Sequence, residues 1–315
     1  MSWNCTLTTT DIDEYRIAVR PTTEVLTVTG RGRFSASLTR LELHNLRMQR
    51  FSESLPRAWD LRVPPARTAI AFTIGPGHAV RWRGTEISEN EVIPLHAGET
   101  GWHALPRQAY WGSISLPNER LTEASIALLG YDATPPRNAV ALAVLPSALQ
   151  RLRRLHSAAG QLAETAPEIV ENHETARGLE QALTEAMLAC LDTSGARECT
   201  AALRRHATIM RRFHSLMEAR ADEALFLPEI CKAIGVNERT FYLCCQEQLG
   251  VSPKRYLLLR RLQLVRQALR VATRNTANVT EIATQYGFWE LGRFAVYYRG
   301  VFGESPSATL GHPPP

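Results

Sequence analysis

No run of about eighteen consecutive apolar residues occurs in this sequence, so no helix in it is expected to cross a bilayer. The opening stretch, MSWNCTLTTTDIDEYRI, places acids where a secretory leader needs a basic segment followed by an apolar one, and a cytoplasmic protein is expected. Six cysteines, Cys5, Cys190, Cys199, Cys231, Cys244 and Cys245, form no Cys-x-x-Cys pair and no zinc-finger spacing. That scatter fits a reducing compartment and supplies no disulfide framework. A Gly-rich phosphate loop, a Ser-His-Asp spacing and a carboxylate pair are also missing. No catalytic residue is therefore assigned, no cofactor is expected, and an enzyme is not the expected class.

Aromatic residues are few, at 7%, and unevenly spread. Trp59, Trp82, Trp102 and Trp111 fall in the first part of the chain, where Arg40, Arg67, Arg81 and Arg83 accompany them. Alternating segments recur there every eight to twelve residues, at Tyr15 to Val19, Glu24 to Thr29, Phe34 to Leu43, Trp59 to Val63, Thr68 to Ile74, Val80 to Ile87 and Trp111 to Leu116. Such spacing predicts a β-sandwich or barrel. Inward members of the set Trp59, Arg67, Trp82, Trp102 and Trp111 would line a pocket for a small anionic or planar effector, although ordinary core and surface is the plainer reading of any one of them. His96, Glu99 and His103 in PLHAGETGWHALP offer three candidate ligands, but without a His-x-His a polar turn between strands is the stronger reading, and no metal site is assigned.

From about Pro117 the pattern turns helical, with LPNERLTEASIALLG, residues 146–165, 168–192 and 197–219 as amphipathic stretches separated by the turn-rich YDATPPRNAV. His206 and His214 lie in the last of these and are expected at its surface. Three regions follow: 1–130, β-rich; 131–219, a helical linker; and 220–315.

The last region holds two similar patterns. In VTEIATQYG, Val279, Ile282, Ala283 and Tyr286 recur at helical spacing before Gly287. A second helix then carries Leu291, Phe294, Ala295, Tyr298 and Phe302 as one apolar stripe and ends at Gly303 and Pro306. Earlier, LPEICKAIGVNERTFYLCCQEQLGVSP repeats the plan, with Ile230, Ala233 and Ile234 before Gly235, Asn237 as N-cap, the stripe Phe241, Cys245 and Leu249, and Gly250 and Pro253 as the stop. These are two helix-turn-helix units in tandem. Lys254, Arg255, Arg260, Arg261, Arg266, Arg270 and Arg274 lie between them with no acid in the run, which predicts a helix that sits against phosphates.

Over roughly 222–310 the chain resembles the AraC/XylS transcription regulators. The positions that carry the likeness are Gly287, Phe288, Gly292, Phe294, Tyr298, Arg299, Gly303, Ser305 and Pro306. The resemblance implies an α+β multidomain protein with a cupin-like sensing domain, a helical linker that often mediates homodimerisation, with packing against the sensing domain of the same chain as the alternative, and an all-α tandem helix-turn-helix domain. It implies double-stranded DNA as partner, contact with RNA polymerase, and activation more often than repression. By motif position, Arg239, Thr240, Tyr242 and Leu243 face the groove in the first unit, and Leu291, Gly292, Arg293 and Val296 in the second. Arg239 is the leading base reader, with a phosphate contact as its alternative. Lys254, Arg255 and Arg299 are assigned to phosphates. Two departures stand out: Val296 occupies a position where the family often has Arg, and Cys245 one where it commonly has an aromatic. Three functions stay open: a ligand-responsive regulator, a constitutive DNA-binding assembly protein, and a cupin-type enzyme with a DNA-binding tail.

Overall fold

The structure, a computed structural model, describes residues 4–19, 23–75, 80–192, 195–220, 223–272 and 277–311. Strand β1 (Cys5–Thr9), helix α1 (Ile12–Val19) and β2 (Thr23–Val28) come first, followed by the hairpin β3 (Ala36–Leu43) and β4 (Leu46–Glu53). Then come β5 (Arg57–Arg62), β6 (Arg67–Thr73), β7 (Val80–Trp82), β8 (Thr85–Ile87), β9 (Glu91–Leu95), β10 (Thr100–Leu105) and β11 (Ala109–Pro117). Helix α2 (Asn118–Leu129), β12 (Ala139–Ala143), α3 (Pro146–Thr165), α4 (Pro167–Glu171), α5 (His173–Leu191), β13 (Gly195–Glu198) and α6 (Ala201–Ala219) complete this part.

Two sheets form a β-body, one in the order β1-β3-β4-β11-β6-β9-β12-β13 and the other β2-β5-β10-β7-β8. Between them Tyr15, Phe51, Trp59, Trp82 and Trp111 make an aromatic core. The opposite face of the larger sheet is covered by α3 and α5, which bury Leu149, Leu152, Leu183 and Met187 against Leu41, Met48, Ile70 and Ile114. Strand β6 is thus sandwiched on both faces, which is why RTAIAFT is buried throughout, its polar ends Arg67, Thr68 and Thr73 included.

The expected fold class, a β-rich N-terminal region followed by an all-α C-terminal one, is the one found, with several elements corrected. Tyr15 to Val19 is not a strand. Asp11 Oδ1 accepts the Asp13 N–H at 2.8 Å, and Ile12, Tyr15 and Val19, at i, i+3 and i+7, turn one helical face inward. Val80 to Ile87 is a tight hairpin whose turn residues Arg83 and Gly84 have φ of 48° and 79°, as a two-residue turn of that hand requires. Strands β1, β4, β9 and β10 were not expected; the last two occupy most of the stretch read as a polar turn. Within 131–219, α3 to α5 share a core with the larger sheet and β12 and β13 extend it.

The C-terminal region is helical: α7 (Leu227–Ile234), α8 (Glu238–Leu249), α9 (Pro253–Val271), α10 (Val279–Gln285), α11 (Leu291–Phe302) and α12 (Pro306–Gly311).

Candidate nucleic-acid interface

Each pair of short helices is locally determined. In the first, Gly235 adopts φ 70° after α7, and the Asn237 side chain accepts the Thr240 N–H at 2.8 Å to start α8. In the second, Asn278 and Glu281 form a reciprocal capping box at the start of α10, with bonds of 2.8 and 3.3 Å, and Gly303 at φ 75° closes α11. The first unit packs Ile230, Ile234, Phe241, Cys244 and Cys245 under Phe213 of α6, and burial raises the Cys244 thiol to about 11. The second packs Ile282, Phe288, Phe294 and Tyr298. Helix α9 feeds both cores, Leu257 into the first and Leu262, Val265 and Leu269 into the second. At 19 residues it is about 28 Å long, comparable to one turn of duplex.

The residues assigned to base reading lie on the open side of the units. Arg239 is exposed, Tyr242 and Leu243 are about half exposed, and Thr240 is partly covered by its N-cap bond. In α11, Val296 is 71% exposed and Leu291 and Gly292 are open. Arg293 lies along the helix surface, donating to Glu290 at 3.1 Å and Tyr297 at 3.3 Å.

The basic run of α9 does not form a phosphate-facing stripe, and that expectation is corrected. Arg260 donates to the carbonyls of Arg220 and Glu223, closing the end of α6. Arg266 binds Asp13 and Glu304 at 3.0 and 2.6 Å, and Arg270 binds Asp11 and Asp13, both at 2.8 Å. Burial acts to raise the Asp11 carboxyl, but the Asp13 backbone N–H and Arg270 outweigh it and hold it below its ordinary value. Arg255 is half-buried, whereas Lys254 and Arg299 are exposed. Arg274 lies outside the described residues.

The aromatic–arginine pocket read from sequence is not assembled either. Trp59, Trp82 and Trp111 are close-packed in the inter-sheet core, with Trp111 stacked on Phe51 at 4.0 Å. Trp102 belongs to a different core and meets Tyr256 and His214. Arg67 is spent at the start of β6 on the Asn45 and Ser115 carbonyls. What occupies the aromatic core is a buried ion pair, Glu53 with Arg57, whose carboxylate also accepts from Tyr15 Oη at 2.8 Å and Trp111 Nε1 at 3.1 Å. Burial pushes Glu53 up and Arg57 down.

His96, Glu99 and His103 do not converge. His103 is wedged beside Trp59 and Trp111, where burial lowers it to about 3, while Glu99 pairs with Arg83 at 2.6 Å. His206 and His214, expected as surface residues, instead tie elements together. His206 Nδ1 meets Glu247 at 2.8 Å, and His214 meets Asp60 at 2.6 Å and Glu218 at 3.2 Å. Asp60 is on β5 and Glu247 on α8, so α6 contacts both the β-body and the first unit. The β7–β8 turn reaches the same end of α8: Arg81 donates to the Gln246 carbonyl, and a Cβ on Gly84 would lie 2.5 Å from Glu247 Cγ.

Two residues of the interface were missed in the sequence. Trp289, 78% exposed, stands in the turn just before α11, on the open side of the second unit. Its aromatic type was the signal, since an exposed Trp beside a recognition helix has no packing reason to be there. Arg261 was counted as one more basic residue of α9. Its guanidinium lies 5.2 Å from the Phe226 ring and 5.0 Å from the Phe288 ring, joining the start of the first unit to the turn of the second. Gly287, at φ 78°, leaves room for this: a Cβ there would meet Phe226 Cζ at 3.2 Å and Arg261 Nη1 at 3.3 Å.

Comparison with known proteins places these features. A family profile described as a helix-turn-helix domain matches residues 230–312. The chain is 36% identical over 94 residues to XylDLEGF operon transcriptional activator 2 of Pseudomonas putida, a match covering 30% of this chain and 60% of that protein. It is 37% identical over 102 residues to the probable thc operon regulatory protein of Rhodococcus erythropolis, covering 32% of this chain and 31% of that one. The matches thus span less than two thirds of either relative. Among solved structures, the AraC-like transcriptional activator CuxR aligns with 84% of this chain and 95% of its own at 16% identity, with a TM-score of 0.44. The segment 230–312 is a helix-turn-helix domain of the AraC/XylS type.

Proposed function

We propose that the protein is a sequence-specific DNA-binding transcription regulator, an activator responsive to a small-molecule effector. The observation that carries this reading is the pairing of two helix-turn-helix units on α9, each with the start of its second helix left open to solvent. In such a unit the second helix enters the major groove and its first exposed residues meet base edges. Arg239 would bond a guanine through both guanidinium edges, with Thr240, Tyr242 and Leu243 beside it. In the second unit Arg293, released from Glu290, would carry direct reading, with Leu291, Gly292 and Val296 adding apolar contact to thymine methyls and fit to the backbone. Lys254 and Arg299 hold phosphates, and Arg255 does so from its half-covered position.

A homodimer, a contact with RNA polymerase and a cytoplasmic location belong to the same reading. Activation is favoured by the likeness to the XylDLEGF operon transcriptional activator 2 of Pseudomonas putida. The contacts of α6, the β7–β8 turn and α1 with the DNA-binding helices give the β-body a physical route to bias them.

One observation favours a second reading, a constitutive DNA-binding protein whose β-body serves assembly: the aromatic core between the sheets is close-packed. The two readings separate on whether any small molecule changes affinity for DNA.

The test of the main reading is selection of random duplex DNA by the full chain. Enrichment of two short blocks about one helical turn apart is the expected result. Retention of DNA without any enriched sequence overturns it.

A further inference from the structure

Outside the β-body, against the outer face of β5 and β10, lies a cleft of about 600 Å³. Helix α6 forms one wall, the 137–138 segment another, and Gln248 at the end of α8 contributes from the DNA-binding domain. The volume falls within the roughly 300–1,000 Å³ of small-molecule sites.

The charge of its lining is unbalanced. Asp60 and Glu218 are the carboxylates at the cleft, and both are engaged: Asp60 with His214, and Glu218 with His214 and with Arg62 at 3.3 Å. Arg83 is matched by Glu99. Arg137, Arg204 and Arg211 also line the cleft and have no carboxylate partner among the described residues. Arg204 donates to the Cys199 carbonyl at 2.9 Å and Arg211 to the Thr208 hydroxyl at 3.0 Å, both neutral acceptors. Guanidinium groups lining one concave surface without compensating acids are suited to carboxylate, sulfonate or phosphate oxygens. Trp102, Ala207 and Met210 add an apolar side to the same cleft. The space far exceeds that of one inorganic ion, given about 30 Å³ for a water molecule.

We propose that this cleft is a binding site for a small organic anion with a planar or apolar body, held by Arg137, Arg204 and Arg211. The bound anion touches β5 and β10 of the β-body, α6, and the first recognition helix through Gln248. Whatever affinity differs between docked and undocked arrangements of these elements becomes a bias on that helix. This rests on the reading of the protein as an effector-responsive regulator and names where and what the effector is.

The test uses the full chain and 1-anilinonaphthalene-8-sulfonate, an aryl sulfonate whose fluorescence rises on binding. One saturable site is expected. The double variant Arg137→Ser/Arg211→Ser should weaken it at least tenfold, while Arg151→Ser/Arg177→Ser, which removes the same charge from exposed helix surface elsewhere, should leave it within twofold. Probe binding unchanged in the first variant, or weakened equally in both, overturns the site. Affinity for random-sequence duplex is measured on the same variants: no change is expected, and a matching fall in the first variant would assign these arginines to DNA phosphates and overturn the site as well. Failure of the selection on random DNA would remove the regulator reading while the probe titration still reports on the cleft.

Discussion

The first helix-turn-helix unit is built on Phe213, Phe241 and the buried Cys231, Cys244 and Cys245, and the end of its recognition helix rests against the β-body through Arg81, Gly84 and the His206–Glu247 contact. The second is built on Phe288, Phe294 and Tyr298, and its attachment to that body is ionic, through Arg266 and Arg270 of α9 to Asp11 and Asp13. Their open faces differ in the same sense. On the first, Arg239, Thr240 and Tyr242 offer hydrogen bonds beside the apolar Leu243, whereas on the second Trp289, Leu291 and Val296 offer apolar surface beside Arg293, which is engaged by Glu290. On the proposed reading, one chain would combine a reader that bonds mainly to base edges with one that relies more on methyl groups and groove shape. The bonding reader is also the one in direct contact with the β-body.

The sharpest way to break this comparison is to remove the core of one unit. Phe294 is 2% exposed, and Phe294→Ala should cost about 3–5 kcal/mol, unfolding the second unit while the first persists. Footprinting should then lose one block of protection and keep the other; loss of both would mean that the units fold as one.

Acid should separate the β-body from the DNA-binding helices. His103 and His156 are buried and neutral, with His156 Nε2 3.0 Å from the Gln49 carbonyl, and burial lowers them from 6.5 to about 3 and about 4. The unfolded chain binds the extra protons, so stability is full above about pH 6.5 and falls below it, by about 1.4 kcal/mol per pH unit for each histidine. Residues 223–311 contain no histidine. Hydrogen exchange in the strands of the β-body and in α3 should therefore rise at a higher pH than exchange in α7 to α11, and coincident rises would contradict the assignment.

Arg239→Ala should cost roughly 1–3 kcal/mol on the selected site and relax preference at one base pair. Equal weakening on random DNA would make Arg239 a phosphate contact. Trp289→Ala should weaken the second block with the salt dependence unchanged, whereas Arg299→Ala should lower the slope of log affinity against log salt by about one. The smallest effect is expected from Asp11→Asn, whose carboxylate is about a third exposed. Such part-exposed ion pairs contribute about 0–1 kcal/mol, so melting should move little while hydrogen exchange in the last turns of α9 rises. A large loss of stability would mean that the second unit is fixed to the body as firmly as the first.

Much of the C-terminal region was legible because its signals are local. Gly235, Asn237, Gly287 and Gly303 mark helix ends by backbone conformation and capping, and both apolar stripes repeat at helical spacing. The basic run of α9 misled because its partners are remote: Asp11 and Asp13 lie more than 250 residues away in sequence. The aromatic pocket failed for a related reason. Composition gathered Trp59, Trp82, Trp102 and Trp111, but strand register sends Trp102 to one face of β10 and its neighbour His103 to the other. Helix α1 was misread because Tyr15, Ile17 and Val19 alternate, whereas the buried helical face is Ile12, Tyr15 and Val19 with Ile17 exposed; the capping Asp11 was the signal to follow.

Arg261, clasped between Phe226 and Phe288, has one further consequence. It acts as the pivot pin of a caliper whose jaws are set before any DNA arrives. A duplex with one base pair inserted between the two blocks presents its second block rotated by about 35°, and a pinned caliper cannot follow it. Operators for this chain should therefore vary freely in the bases between the blocks while holding their number constant.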